Sequence, residues 1–264
     1  MKNSAKLLLE FASILGLSTL FLTYIISTTG GRVAPFIPII SEMPFNEPES
    51  TIFALGLGIS LFGFLIVVQV LHRIFENEAK KISKKYENYA DINRIISSVG
   101  LICGIITVNF HWNNYPIIHG ITAFILFTFT IISMTVSFKI MEKAGKINVT
   151  RKYALYSAWF FFLSMVVVSF LDGQELENEG KDRFYRNNNP PDVDTERNVY
   201  LNLAAFCEWS MVFSLFASIM TYRKDLERMK ILKVKSLYWP RINSILGICR
   251  SRTIIRYSCY RSIA

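Results

Sequence analysis

The sequence predicts an all-α, polytopic membrane protein: a six-helix transmembrane bundle with both termini cytosolic. Three observations carry that prediction. Hydrophobic residues make up 52% of the 264 residues and charged residues only 19%, where a soluble domain carries roughly 25% charge. The apolar residues gather into six runs long enough, or nearly so, to cross lipid. The basic residues fall mainly in alternate segments between those runs. This composition, with a mean hydropathy of +0.33, excludes both a water-surrounded globular domain and an intrinsically disordered chain. Cys103, Cys207, Cys249 and Cys259 form no C-x-x-C pair, so neither a disulfide scaffold nor a structural zinc site is expected.

A hydrocarbon core about 30 Å thick takes roughly 20 apolar residues of helix. The first span, 7–28, carries one charge, Glu10, near its start. Lys2 and Lys6 precede it, but the run exceeds the roughly 7–15 residues of a signal-peptide core. No small-residue cleavage pattern follows, so it reads as an uncleaved span. The second, 51–71, is free of charge and stops at His72-Arg73. The third is short: Ile95 to Phe110 is apolar, and the span is set at about 92–112 by taking in Ile92 and Trp112 while Arg94 snorkels. Spans at 117–138, 153–171 and 199–222 complete the set. One spanning domain is therefore expected over 1–235 and a basic, poorly ordered cytosolic tail over 236–264. In that tail Cys249 or Cys259 offers a palmitoylation site, and Tyr260-Arg261-Ser262-Ile263 has the form of a tyrosine-based sorting signal.

Charge sets the orientation. The amino tail, the second and fourth loops and the carboxyl tail hold 24 Lys and Arg residues, and the other three loops hold 5. The positive-inside rule puts the richer side in the cytosol, and an even number of spans puts both termini there. Acidic residues collect opposite, with Glu42, Glu47 and Glu49 in the first loop. The net charge of +9 is thus a cytosolic membrane face rather than a nucleic-acid surface. The expected partners are the bilayer, the anionic lipids of its cytosolic leaflet and unidentified cytosolic proteins. The sequon Asn148-Val149-Thr150 falls on the cytosolic side, where no glycan is expected.

Few residues carry possible chemistry. Glu208 stands nine residues into the sixth span, roughly 13 Å deep at the helical rise. A carboxylate there is costly unless protonated, paired or facing a polar cavity. It either handles a proton, lipid or ion, or hydrogen-bonds a neighbouring helix to fix packing. His119 lies near the non-cytosolic end of span four, with His111 just before it. With Glu49 and Glu208 these can form a site open to the non-cytosolic side; otherwise His119 is an ordinary interfacial histidine. No H-E-x-x-H, nucleophile elbow, P-loop or dinucleotide fingerprint is present, so no catalytic residue, metal or cofactor is assigned. In the first loop, Pro35, Pro38, Pro44 and Pro48 put four prolines in fourteen residues. That density opposes helix and predicts a stiff, partly apolar loop against the bilayer surface. Such a loop covers a cavity, binds a partner or closes the end of the bundle. Gly56, Ser60 and Gly63 in span two, with Gly100 and Gly104 in span three, allow helices to approach closely.

Several blocks, read in order, resemble the damage-regulated autophagy modulator (DRAM) family, within a wider group that includes the Frag and Sfk proteins and the amino half of Cwh-type proteins. They are Pro35-Phe36-Ile37-Pro38-Ile39-Ile40-Ser41, Pro48-Glu49-Ser50-Thr51-Ile52-Phe53, Val108-Asn109-Phe110, His119-Gly120 and Cys207-Glu208-Trp209. The chain departs from the family after Ser41, where Glu42-Met43-Pro44 replaces an acidic-Thr-Gly turn. The resemblance implies a six-span protein of lysosomal or other endomembranes that tunes autophagy, expected to be non-enzymatic. Relatives in the wider group imply two alternatives. One is lipid handling of the GPI-remodelling kind in the Golgi; the other is scaffolding of a phosphoinositide kinase at the plasma membrane.

Overall fold

The computed structural model describes residues 4–33, 36–178 and 199–228. Its described elements are helical: α1 (Ser4–Thr29), a 3-10 turn (Ile40–Phe45), α2 (Glu49–Ile82), α3 (Lys84–Asn109), α4 (Pro116–Lys143), α5 (Val149–Asn178), α6 (Val199–Met220) and a short α7 (Arg223–Arg228). Six of the helices are long and apolar enough to cross a membrane, the last running on to Glu227.

Four of the predicted spans lie wholly inside their helices. The third does not. It gains residues at its amino end, from Lys84, and stops at Asn109, leaving Trp112 in the following turn. The stretch 72–94, expected as a loop, is mostly helix: α2 and α3 continue past the apolar runs and reverse through Ser83 alone. Glu76–Lys80, Glu78–Lys81 and Lys84–Glu87 pairs, three or four residues apart, coat that extension, the spacing that supports a solvated helix. The tail predicted over 236–264 lies outside the described residues.

Consecutive helices run antiparallel and are stitched by polar pairs at matching heights. Ser60 Oγ donates to Ala12 O at 2.8 Å between α2 and α1. Gln69 Nε2 donates to Ser98 Oγ at 2.9 Å between α2 and α3. Thr107 donates to Thr122 at 2.8 Å between α3 and α4. Trp159 Nε1 donates to Thr135 at 3.0 Å between α5 and α4, and Ser157 and Ser214 meet at 2.9 Å between α5 and α6. The small residues serve packing within the chain. A methyl group added to Gly56 would collide with the β-branched Thr19, and one added to Gly63 would stand 3.0 Å from Ala12 Cβ. On α1, Ser13, Thr19, Thr23 and Ser27 fold their hydroxyls back onto carbonyls four residues earlier. Hydrocarbon offers hydroxyls no partner, so they are satisfied within the helix.

Leu20, Phe53, Val108, Ile131, Phe138, Leu155, Phe162, Met211 and Leu215 belong to one core reached from all six helices. Outside it the rule of soluble proteins is inverted. Ile14, Ile117, Phe160 and Phe170 are all more than 60% exposed, because lipid rather than water surrounds that face.

Candidate functional site

The first loop is not spread over the outer surface. Phe36 projects, at 74% exposure, and Asn46, Glu47 and Pro48 are exposed at the loop's end, while Pro38, Ile40, Met43 and Pro44 are buried. Hydrogen bonding helps seat the loop: Glu42 N–H turns back to Ile39 O at 3.0 Å within it, while Ile40 N–H and Pro38 O find partners on α6. The proline expectation holds only for α-helix, since Ile40–Phe45 forms a 3-10 turn with Pro44 at a break in its dihedrals (φ −83°, ψ 42°). Ile37 sits at φ 39°, a region a β-branched residue enters only under constraint.

Three helix residues hold this loop. Glu208 Oε2 accepts from Ile40 N at 2.7 Å. Trp209 Nε1 donates to Pro38 O at 2.8 Å. His119 Nε2 meets Ser41 Oγ at 2.9 Å. The opposite ring nitrogen of His119, Nδ1, lies 3.1 Å from Thr107 O and 2.8 Å from Phe110 O. Two carbonyls accept only, so Nδ1 carries the proton; Nε2 of the neutral ring therefore accepts from the Ser41 hydroxyl. Trp209 is wedged among Phe21, Tyr24 and Phe213, with ring centroids 5.6–6.2 Å away.

Glu208 and His119 thus converge on adjacent loop residues, whereas Glu49 belongs to a different contact. Glu49 is fully buried at the start of α2, and both its oxygens accept from Arg32, whose Nη1 also donates to Glu47 O at 3.2 Å. A carboxylate in a first helical turn is favoured by the helix dipole as well. Ser41 and Pro38 take part directly through side chain and carbonyl. Pro48 follows Glu47 through a cis peptide and stands at the N-cap of α2. Pro35 lies outside the described residues. Ser50 Oγ bonds Glu47 at 2.5 Å, which with Thr51 holds the Glu47 carboxyl below the usual carboxylate range. His111 sits in the α3–α4 turn with Nε2 buried and without a partner, and burial holds it below its ordinary value of 6.5. Among the described residues, no group of three His, Cys, Asp or Glu side chains is placed to hold a metal ion.

Two residues of the site escaped the sequence reading. Trp209 is the neighbour of Glu208, and its indole N–H needs a partner when buried; the signal marks the need, while only the structure shows Pro38 O as the partner. Arg32 is the one Lys or Arg of the first loop, which should have marked it as the counter-ion of Glu49.

A family model described as Frag1/DRAM/Sfk1/Cwh43P N-terminal domain matches residues 4–229, the whole described bundle. The chain belongs to this family. The DNA damage-regulated autophagy modulator protein 1 of mouse is 21% identical over 213 residues, covering 78% of this chain and 84% of the mouse protein. The human protein of the same name matches to the same extent. That of Xenopus laevis is 24% identical over 217 residues, covering 79% and 85%. No solved structure matches. The residues that meet at the loop (Pro38, Ile40, Ser41, His119, Glu208 and Trp209) are those of the blocks that carried the family resemblance.

Proposed function

We propose that this member of the family is a non-enzymatic modulator of autophagy in a lysosomal or other endomembrane. Its basic loops face the cytosol and its proline loop closes the opposite, luminal end. The observation that carries this reading is the use made of the candidate polar groups. His119 is held by Ser41 on one ring nitrogen and by the Thr107 and Phe110 carbonyls on the other, one Glu208 oxygen is held by the Ile40 amide, and both Glu49 oxygens are held by Arg32. The matching relatives, named as autophagy modulators, support it over most of the chain. Deleting the protein should change autophagic flux, and a tagged copy should coincide with a lysosomal marker. Unchanged flux with signal confined to the plasma membrane would overturn the proposal.

One observation favours a second reading, lipid handling. A serine hydroxyl donating into a histidine whose other nitrogen is fixed by carbonyls is the arrangement of a nucleophile and its base. Ser41→Ala distinguishes the two. The regulator tolerates it if the loop stays seated, whereas a lipid-modifying activity would be abolished while thermal stability is retained.

A further inference from the structure

The reversal between α2 and α3 is a single non-helical residue set among lysines. Residues 80–85 read Lys80-Lys81-Ile82-Ser83-Lys84-Lys85. Ser83 is exposed and extended, at φ −173° and ψ 165°, and its hydroxyl makes no capping bond to α3. Lys80, Lys81 and Lys84 each reach a glutamate of their own helix, yet their side chains stay 48%, 66% and 77% exposed. Surface pairs of that kind hold their members weakly, so the lysines are free to meet an acidic partner.

The reversal also stands clear of lipid. Leu71 ends the apolar run of α2, and Ser83 lies twelve residues further on, roughly 18 Å along the helix. Headgroups take only about 5–8 Å on each side of the hydrocarbon. The base of this hairpin is fixed. Phe75 packs edge-on against Tyr222 at 5.5 Å, the Arg151 guanidinium lies 3.8 Å over the same ring, and Glu78 bonds Lys146 at 2.8 Å. The tip is held less: from Lys80 to Lys85 only Ile82 is half-buried and the other five residues are exposed. End turns with so little burial open locally while the bundle stays folded.

We propose that Ser83 is a phosphorylation site for a basophilic serine kinase of the cytosol; this rests on the orientation proposed above, with the basic loops on that side. Basic residues two and three places before a serine fit the acidic substrate cleft of such a kinase by charge complementarity. Ser83 is the only serine or threonine of the sequence preceded in that way. In the transfer, Ser83 Oγ gives its proton to the kinase's base and bonds to the γ-phosphorus of ATP. The bond from that phosphorus to the β-phosphate oxygen breaks, and ADP leaves. The product brings about −1.5 to −2 charge to the start of α3, where the helix dipole favours an anion, between lysines of both helices. The phosphate thus clasps the end of α2 to the start of α3 and offsets about half the charge of the four lysines.

The test incubates the full chain with radiolabelled ATP and the catalytic subunit of cyclic-AMP-dependent kinase, once in detergent and once in sealed microsomes whose cytosolic face is outward. Phosphopeptide mapping should place label on Ser83 in both. Ser83→Ala, which removes no capping bond, should lose it. Lys80→Ala combined with Lys81→Ala should lower kcat/KM at that site about tenfold or more, the order expected of charge-assisted contacts to a cleft. The phosphorylated chain should melt about 1–4 °C higher. No label at Ser83 in detergent would overturn the proposal and leave the orientation standing. Label in detergent with none in microsomes would overturn it together with the orientation. A rate untouched by the lysine substitutions would refute recognition by charge, and an unchanged melting temperature would refute the clasp.

Discussion

The two ends of the bundle solve the same problem by different means. At the loop end, Glu208, Trp209 and His119 take their partners from an inserted piece of backbone and from one serine hydroxyl. At the other end charges answer charges. Arg151, 2% exposed, donates to Asp225 at 2.5 Å and to Thr221 at 2.7 Å, tying α5 to α7 and to the turn that follows α6. Arg223 bonds Glu10 at 2.8 Å, and Lys6 bonds Glu227 at 2.6 Å, so the start of α1 and the end of the last helix meet on one side. The difference follows from what each end has to hand. A short proline-rich loop supplies neutral donors and acceptors to Glu208, Trp209 and His119 and a single ion pair, Arg32 with the buried Glu49, while the basic end has enough charge to form several pairs, most of them half in water.

That contrast predicts an order of sensitivities. Asp225→Ala leaves Arg151 buried and unpaired and should cost about 3–5 kcal/mol, read as a large drop in thermal stability in detergent. A loss near that of a surface pair would mean that stacking on Tyr222 holds Arg151. Glu208→Ala should cost about 1.5–3 kcal/mol and speed hydrogen exchange at the Ile40 amide, whereas Glu208→Gln keeps an acceptor and should lose less. Equal losses would deny the loop its anchor. Gly56→Ala, which drives a methyl into Thr19, should cost about 1–3 kcal/mol in the same melts, with no change at the Ile40 amide. A smaller effect comes from His111. Its folded pKa lies below its ordinary 6.5, so on acidification the unfolded chain takes up a proton that the folded chain resists. Stability should therefore decline as pH falls through that ordinary value, and His111→Gln should flatten the slope measured by melting across pH 7 to about 5. Lys6→Ala, at an exposed pair, should change stability by about 0–1 kcal/mol; a larger loss would show that the ion-paired end acts as one network.

Legibility was uneven for physical reasons. Long apolar runs are a local property, so the spans around 7–28 or 117–138 could be read from composition, and each lies inside one helix. Helix beyond the membrane is less visible, because residues 72–94 are polar and their helical state rests on i,i+3 and i,i+4 ion pairs and on the pairing of α2 with α3. Glu208 and His119 were recognisable as costly in lipid, yet nothing in their spacing named Ile40 and Ser41 as partners.

The amino-acid sequence alone determined the fold class, the number of spans and the residues that needed a partner, because burial in hydrocarbon penalises unpaired polar groups wherever they fall along the chain. Only the tertiary structure decided which partner each one has. Glu208 and Ile40 are 168 residues apart, and Asn93 and Ser137 are 44 apart. Pairings of that separation arise from how helices and a folded-in loop come to share space, and hydrophobicity carries no record of that.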